Sequence, residues 1–190
     1  MVPARGPAAA AWRFDDGMMA SAPARPLDGR QRPAPLATLP RGAWRGVQGL
    51  LTDIDDTLTR DGALEPAALA ALQRLHAAGV PVVAITGRPL GWCRDLTAAW
   101  PVAAVVAENG AVALVRDAAT GAVHTEYVQD EPTRRRHAQK LAAVAARIVA
   151  EVPGATRARD SAGRETDIAI DHGEFAQLDE ARIAQVVALM

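Results

Sequence analysis

The chain's 190 residues suffice for one domain, or one domain with a small insert, and 21 basic against 22 acidic side chains leave a net charge of −1 that argues against a dedicated nucleic-acid or polyanion binder. Hydrophobic residues at 49% permit a sizeable core, but no apolar run approaches the ~20 residues of a membrane span, and the N-terminus lacks the apolar stretch of a secretory signal. The lone cysteine, Cys93, rules out an intramolecular disulfide framework and fits a reducing compartment, so the expectation is a cytoplasmic protein with no membrane and no nucleic-acid partner.

Residues 1–45 are rich in Ala, Pro, Arg and Gly, and prolines from Pro3 to Pro40 interrupt every helical or alternating period. The expectation there is a disordered extension. Asp15 and Asp16, with the prolines, argue against the amphipathic helix of an organelle-targeting peptide, and Met18 and Met19 are alternative starts.

The stretch from Leu50 to Ile54 reads as a short buried strand whose end carries Asp53 and Asp55, with a hydroxyl following at Thr57. Neighbouring carboxylates repel unless a cation or a shared proton compensates them. That pattern is expected of a Mg²⁺-dependent phosphoryl-transfer site with a carboxylate nucleophile; the alternative is a solvated acidic turn. An EF-hand is excluded because Leu58 stands where that loop requires glycine.

Glu65-Pro66 opens a helical stretch with Leu69, Leu72 and Leu75 on one face and Gly79 as its stop. A β-branched run, Val80 to Ile85, follows and ends in Thr86-Gly87-Arg88-Pro89. Strand, helix, strand implies a crossover connection, so both strands run parallel and Asp53, Asp55 and Thr86 converge at their carboxyl ends. Leu90 to Trp100 is a short helix with Trp92, Leu96 and Trp100 as core anchors, and Cys93 is a small buried thiol. A Cys-x5-Arg phosphatase loop is excluded because Ala99 holds the arginine position. Val102 to Ala107 supplies a third strand, and Asn109-Gly110 turns it back into Ala111 to Val115.

Beyond Ala122 the pattern changes. Ala122 to Val128 is a candidate strand, Pro132 to Ala150 a helix with Leu141, Val144 and Ile148 on one face, Thr166 to Ile170 an alternating strand, and Asp179 the cap of a last helix. The run Arg134-Arg135-Arg136-His137 lies near a helix N-terminus, where positive charge is unfavourable; a solvated basic face is the simpler reading, a bound anion the other. Asp167, Asp171 and His172 fit a strand edge and turn better than a metal site.

Asp53-Ile54-Asp55-Asp56-Thr57, Ile85-Thr86-Gly87-Arg88-Pro89 and Glu108-Asn109-Gly110 resemble the haloacid dehalogenase superfamily of phosphohydrolases. The wording is most similar to the subclass with a large α/β cap, which includes Cof-type sugar phosphatases and the sucrose-, trehalose- and mannosylglycerate-phosphate phosphatases. The resemblance implies an α/β fold, a Rossmann-like parallel sheet core followed by the start of an α+β cap. It implies a partial core over residues 46–116 and a partial cap over 117–190. It further implies Asp53 as nucleophile, Asp55 as general acid and base, Thr86 and Gly87 on the phosphoryl oxygens, Asn109 facing the substrate, and Mg²⁺ held at Asp53 and Asp55. Arg88 either binds substrate or pairs with a nearby acid.

The expected activity is hydrolysis of a small phosphorylated metabolite, a sugar phosphate, through an aspartyl phosphate; a phosphomutase and a non-catalytic fragment or pseudogene product are the alternatives. The superfamily's later lysine and Gly-Asp motifs have no counterpart, since Lys140 is the only lysine and lies at the wrong point in the order. The expectation is therefore a chain truncated within its cap, inactive by itself. The strand of Asp53 would then form an exposed sheet edge open to self-association.

Overall fold

The computed structural model describes residues 36–190, so residues 1–35, which hold most of the expected disordered extension and both alternative starts, lie outside the described residues. The chain divides into two units, Met1–Arg45 and Gly46–Met190. Described residues of the first form two 3-10 turns, Leu36–Thr38 and Arg41–Trp44.

The second unit is built on β1 (Leu50–Asp53), β4 (Val82–Ile85), β5 (Ala104–Ala107), β6 (Val112–Arg116) and β7 (Val123–Tyr127), hydrogen-bonded in that spatial order. The first three run parallel; β6 and β7 return antiparallel, as tight turns between successive strands require. Helix α1 (Pro66–Ala77) connects β1 to β4, and α2 (Leu90–Ala99) connects β4 to β5. Registry opposes Asp53 to Ile85, so the residues that follow each strand emerge side by side. β7, expected at the start of the cap, is the fifth strand of this sheet.

Burial alternates along β4 and β5, and one core gathers Ile54, Leu72, Leu90, Cys93, Leu96 and Val105. Burial pushes the Cys93 thiol up to about 12, with Glu108 and Asp55 adding to it, which makes the thiol an inert packing group at neutral pH. Trp92 departs from its expected place. It is 37% exposed, because the buried face of α2 is Leu90, Cys93, Leu96 and Thr97, and the guanidinium of Arg88 lies 5.5 Å from its ring centroid.

Between β1 and α1 a small ribbon, β2 (Thr59–Arg60) and β3 (Ala63–Leu64), turns through Asp61 and Gly62 at φ of +51° and +76°. Asp-Gly is a favoured pair for such a left-handed two-residue turn, a signal present in the sequence but passed over in it.

A second cluster of Ile148, Val152, Ala155 and Val186 joins α3 (Glu131–Glu151) to α4 (Glu180–Leu189). Asp130 and Asp179 cap these helices, accepting from Thr133 N at 2.9 Å and Arg182 N at 2.8 Å. β8 (Thr156–Arg157) pairs with β9 (Ile170–Asp171). The strand expected over 166–170 shrinks to β9, because the Thr166 amide and hydroxyl, like the Glu165 amide, go to a side-chain carboxylate rather than to a neighbouring strand.

That carboxylate is Glu108, 1% exposed. Its Oε1 accepts from Leu90 N at 2.9 Å, capping α2 where Pro89 offers no side-chain oxygen, and from Glu165 N at 3.0 Å; its Oε2 accepts from Thr166 N at 2.6 Å and from the Thr166 hydroxyl. One side chain thereby ties the start of α2 to the segment over 159–167. Burial pushes its carboxyl upward, but the donors from Thr166, Leu90 and Glu165 outweigh this and hold it below the ordinary 4.5.

Glu108→Gln should therefore lose about 3 kcal/mol at neutral pH, since an amide nitrogen would face several donors. A folded value held below the unfolded one stabilises above the unfolded value and ceases to do so as pH falls through the folded one. Denaturant unfolding of both proteins should show a constant gap at neutral pH that shrinks as pH falls below about 4.5; a gap that widens on acidification would contradict the assignment.

Candidate active site

The turn after β1 is wound around one carbonyl. Ile54 O accepts from the amides of Thr57, Leu58 and Thr59 and from the Thr59 hydroxyl, while the Ile54 side chain is fully buried. With Ile54 as the anchor, the flanking Asp53 and Asp55 are left facing outward. Asp56 takes a φ of +56°, which closes the turn.

Asp53 is exposed and carries no ion pair; its Oδ2 accepts a long 3.4 Å hydrogen bond from the Thr57 hydroxyl. Asp55 is held instead by Arg88, whose Nε lies 3.2 and 3.1 Å from its two oxygens and whose Nη2 lies 2.9 Å from Oδ1. Of the two roles open to Arg88, pairing with an acid is the one this geometry contains. Hydrogen bonding to Asp55 outweighs desolvation and raises the Arg88 guanidinium further, so it is a permanent cation.

Thr86, nearly buried, bridges the two strand ends. Its hydroxyl lies 3.4 Å from Asp55 Oδ2 and accepts from Arg88 N at 3.0 Å. The structure thus brings Asp53, Asp55, Thr86, Gly87 and Arg88 to one mouth. Gly87 and Asn109 are in close contact: a Cβ on Gly87 would sit 2.9 Å from Asn109 Oδ1 and displace that side chain. Asn109 is therefore beside the mouth too, but its Nδ2 is engaged, donating to Asp167 Oδ2 at 3.1 Å.

Sequence reasoning missed the groups that form the opposite wall. Arg164, with a side chain only 8% exposed, pairs with Asp160 at 2.9 Å and Asp167 at 2.8 Å and donates to Gly87 O at 3.1 Å. Gly91 and Gly163 pack so closely that a Cβ on Gly91 would lie 3.2 Å from the Gly163 Cα. The alternation of charge in Arg159-Asp160 and Arg164-Glu165-Thr166-Asp167 was the available signal, though it reads equally as a solvated loop. Between this wall and the mouth lies a cavity of about 550 Å³, lined among others by Asp55, Gly87, Arg88, Arg159, Glu174 and Phe175. The Arg159 guanidinium stacks 3.3 Å from the Phe175 ring centroid.

Asp171 is buried. Its carboxylate accepts from the amides of Gly173, Glu174, Phe175 and Ala176 at 2.9–3.1 Å, and these bonds hold it below the usual carboxylate range while they shape the loop that presents Phe175. No group of three or more His, Cys, Asp or Glu that could hold a metal forms among the described residues. Asp53 and Asp55 thus offer paired oxygen donors rather than a complete protein cage, the kind of incomplete set that Mg²⁺ accepts when phosphate and water supply the rest.

No curated protein matches the chain. Among solved structures, the Thermoplasma acidophilum protein 0175 shares the fold, with a TM-score of 0.52 at 15% identity over 74% of this chain and 55% of its own. The Bacteroides thetaiotaomicron phosphatase BT1666 is 24% identical over 81% of this chain and 51% of its own, with a TM-score of 0.42. An Aspergillus fumigatus trehalose-6-phosphate phosphatase overlaps at 17% identity and a TM-score of 0.40, over 76% of this chain and 52% of its own. The chain spans about half the length of these relatives. The sequence profile of the haloacid dehalogenase-like hydrolases matches residues 50–144, and the chain belongs to that family.

Proposed function

We propose that this chain serves Mg²⁺-dependent hydrolysis of a phosphate monoester of a small metabolite, a sugar phosphate, with Asp53 as nucleophile and Asp55 as acid and base. The observation that carries the reading is the meeting of Asp53, Asp55 and the Thr86 hydroxyl at the carboxyl ends of β1 and β4. Family membership supports the hydrolase class, and phosphatases of the family act on small phosphorylated substrates. A 550 Å³ cavity falls in the roughly 300–1,000 Å³ range of small-molecule sites, and an aromatic face beside charged hydrogen-bonding groups suits a polyol.

The chemistry follows from the placement. An Asp53 carboxylate oxygen, not paired with any side-chain cation, attacks phosphorus in line; the ester P–O bond breaks, and the departing alkoxide takes the proton from the protonated form of Asp55. Asp55 then takes a proton from water, whose oxygen displaces Asp53 from phosphorus and releases phosphate. The Arg88 fork fixes the orientation of Asp55, and the Thr86 hydroxyl with the Gly87 amide holds phosphoryl oxygens. Asp53 and Asp55 would hold Mg²⁺, which supplies charge compensation for the phosphoryl oxygens.

Lys140, the only lysine, lies on α3, so no lysine reaches the mouth. On that observation we also propose that the 190-residue chain alone turns over poorly or acts as a phosphate-binding fragment. A phosphate-release assay on a panel of sugar phosphates tests both readings. Activity that requires Mg²⁺ and falls by at least about a thousandfold in Asp53→Asn supports the hydrolase. Mg²⁺-dependent phosphate binding without release supports the fragment. Turnover that survives Asp53→Asn or EDTA would refute the assignment of the nucleophile and metal.

The free edge of β1 is the basis for proposing self-association. Among the described residues β1 pairs only with β4, and Leu51 is 70% exposed. Leu51→Lys should shift a sedimentation profile toward the monomer and raise solubility, whereas an unchanged oligomer distribution would place the contact elsewhere.

A further inference from the structure

Helix α3 carries four successive basic or titratable side chains, Arg134 to His137, just after its capped first residues Glu131 to Thr133, and they are not equivalent. Arg135 pairs with Glu131 one turn earlier, and Arg136 donates to the Thr133 hydroxyl at 2.8 Å. Arg134 does neither. Its guanidinium lies 3.5 Å from the Tyr127 ring centroid, and its Nε is the one buried side-chain nitrogen or oxygen without a hydrogen-bond partner among the described residues. A cation partly taken out of water with no acceptor is costly unless a counter-charge stands near. Asp130 is near enough for its charge to be felt but spends its hydrogen bonds capping α3, and Glu165 accepts from the Tyr127 hydroxyl at 2.6 Å and faces Arg94 at 3.7 Å, so neither accepts from Arg134 Nε.

Arg134 and His137, one turn apart on α3, line a groove of about 280 Å³ together with Gln129, Thr166 and the Asn109–Ala111 turn. The polar groups of the opposite wall are already spent, Asn109 Nδ2 on Asp167 and the Thr166 hydroxyl on Glu108. What remains open toward a guest is a planar guanidinium, an imidazole with no hydrogen bond to the protein, and the Gln129 amide. This is donor chemistry, and the volume is too small for more than a compact group.

We propose that this groove, apart from the Asp53 mouth, is a binding site for a small oxyanion, a phosphate or a carboxylate, held by Arg134 and His137. The anion offsets the partly desolvated charge of Arg134. Because the groove contacts both Asn109 and Thr166, its occupant bears on the two residues that fasten the 159–167 segment over Gly87.

Isothermal titration of the 190-residue chain in EDTA, with sodium phosphate and sodium malonate in separate runs, tests the site. Saturable one-to-one binding is expected, weakened about tenfold or more by Arg134→Gln, and equally by Ala111→Leu, which fills the groove and leaves its charges in place. Thr86→Ala should leave it unchanged. Binding of one anion or of both identifies phosphate, carboxylate or oxyanions generally as the guest. If Arg134→Gln does not fold, Ala111→Leu decides. Absence of saturable binding, binding that survives the groove variants, or loss in Thr86→Ala would overturn the proposal, the last by assigning the anion to the Asp53 mouth.

Discussion

The site depends on one buried carboxylate. Glu108 sits at the end of β5 and satisfies donors from two directions, the first amide of α2 and the amides of Glu165 and Thr166. Such a group is costly to bury unpartnered and strongly localising once its acceptors are filled. Because α2 begins directly after Thr86-Gly87-Arg88-Pro89, fixing its first turn also fixes the loop that faces Asp55. Because Arg164 precedes Glu165, fixing the latter brings Arg164 against the Gly87 carbonyl. Core loop and opposite wall are therefore held in one frame by the same side chain, and the 550 Å³ cavity is what lies between them.

Electrostatics at the mouth is asymmetric, and the asymmetry separates two chemically similar residues. Asp55 shares both oxygens with Arg88, which restricts its rotamer and offsets its charge. Asp53, with only a long contact to Thr57, keeps a solvated and unpaired carboxylate. Two anions a few ångströms apart repel by several kcal/mol in a poorly polarisable setting and by far less in water. Here the Arg88–Asp55 pair is itself about four-tenths exposed, so solvent screens it, and orientation rather than stabilisation is its main contribution.

Much of the first half was legible because its signals are local. The carboxylates at the end of β1, the leucine period of α1, the β-branched run of β4 and the Asn109-Gly110 turn each express a relation between residues a few positions apart. Cys93 read correctly as buried for the same reason. Trp92 misled because its four-residue steps to Leu96 and Trp100 suggested a buried face, whereas the three-residue steps from Leu90 to Cys93 to Leu96 set it. The segment over 166–170 misled because alternation is a tendency of extended chain, and what the backbone amides bond to was decided by Glu108, 57 positions away from Glu165. Helix caps at Asp130 and Asp179, by contrast, act three residues away and can be read directly.

The sequence by itself determined the acidic strand end, the parallel crossover that carries Asp55 toward Thr86, and the resemblance that led to the family. It also left Arg88 between two roles that only geometry separates, since a guanidinium reaches whichever carboxylate the fold sets before it. Tertiary structure alone decided that Arg164, Asp160 and Asp167 close the site, that Asn109 is engaged, and that Arg134 is the unpaired member of its basic run. Periodicity and turn chemistry are encoded within a turn or two of the chain. The partner of a buried charge is set by which distant segments the packing of the core brings within hydrogen-bonding distance.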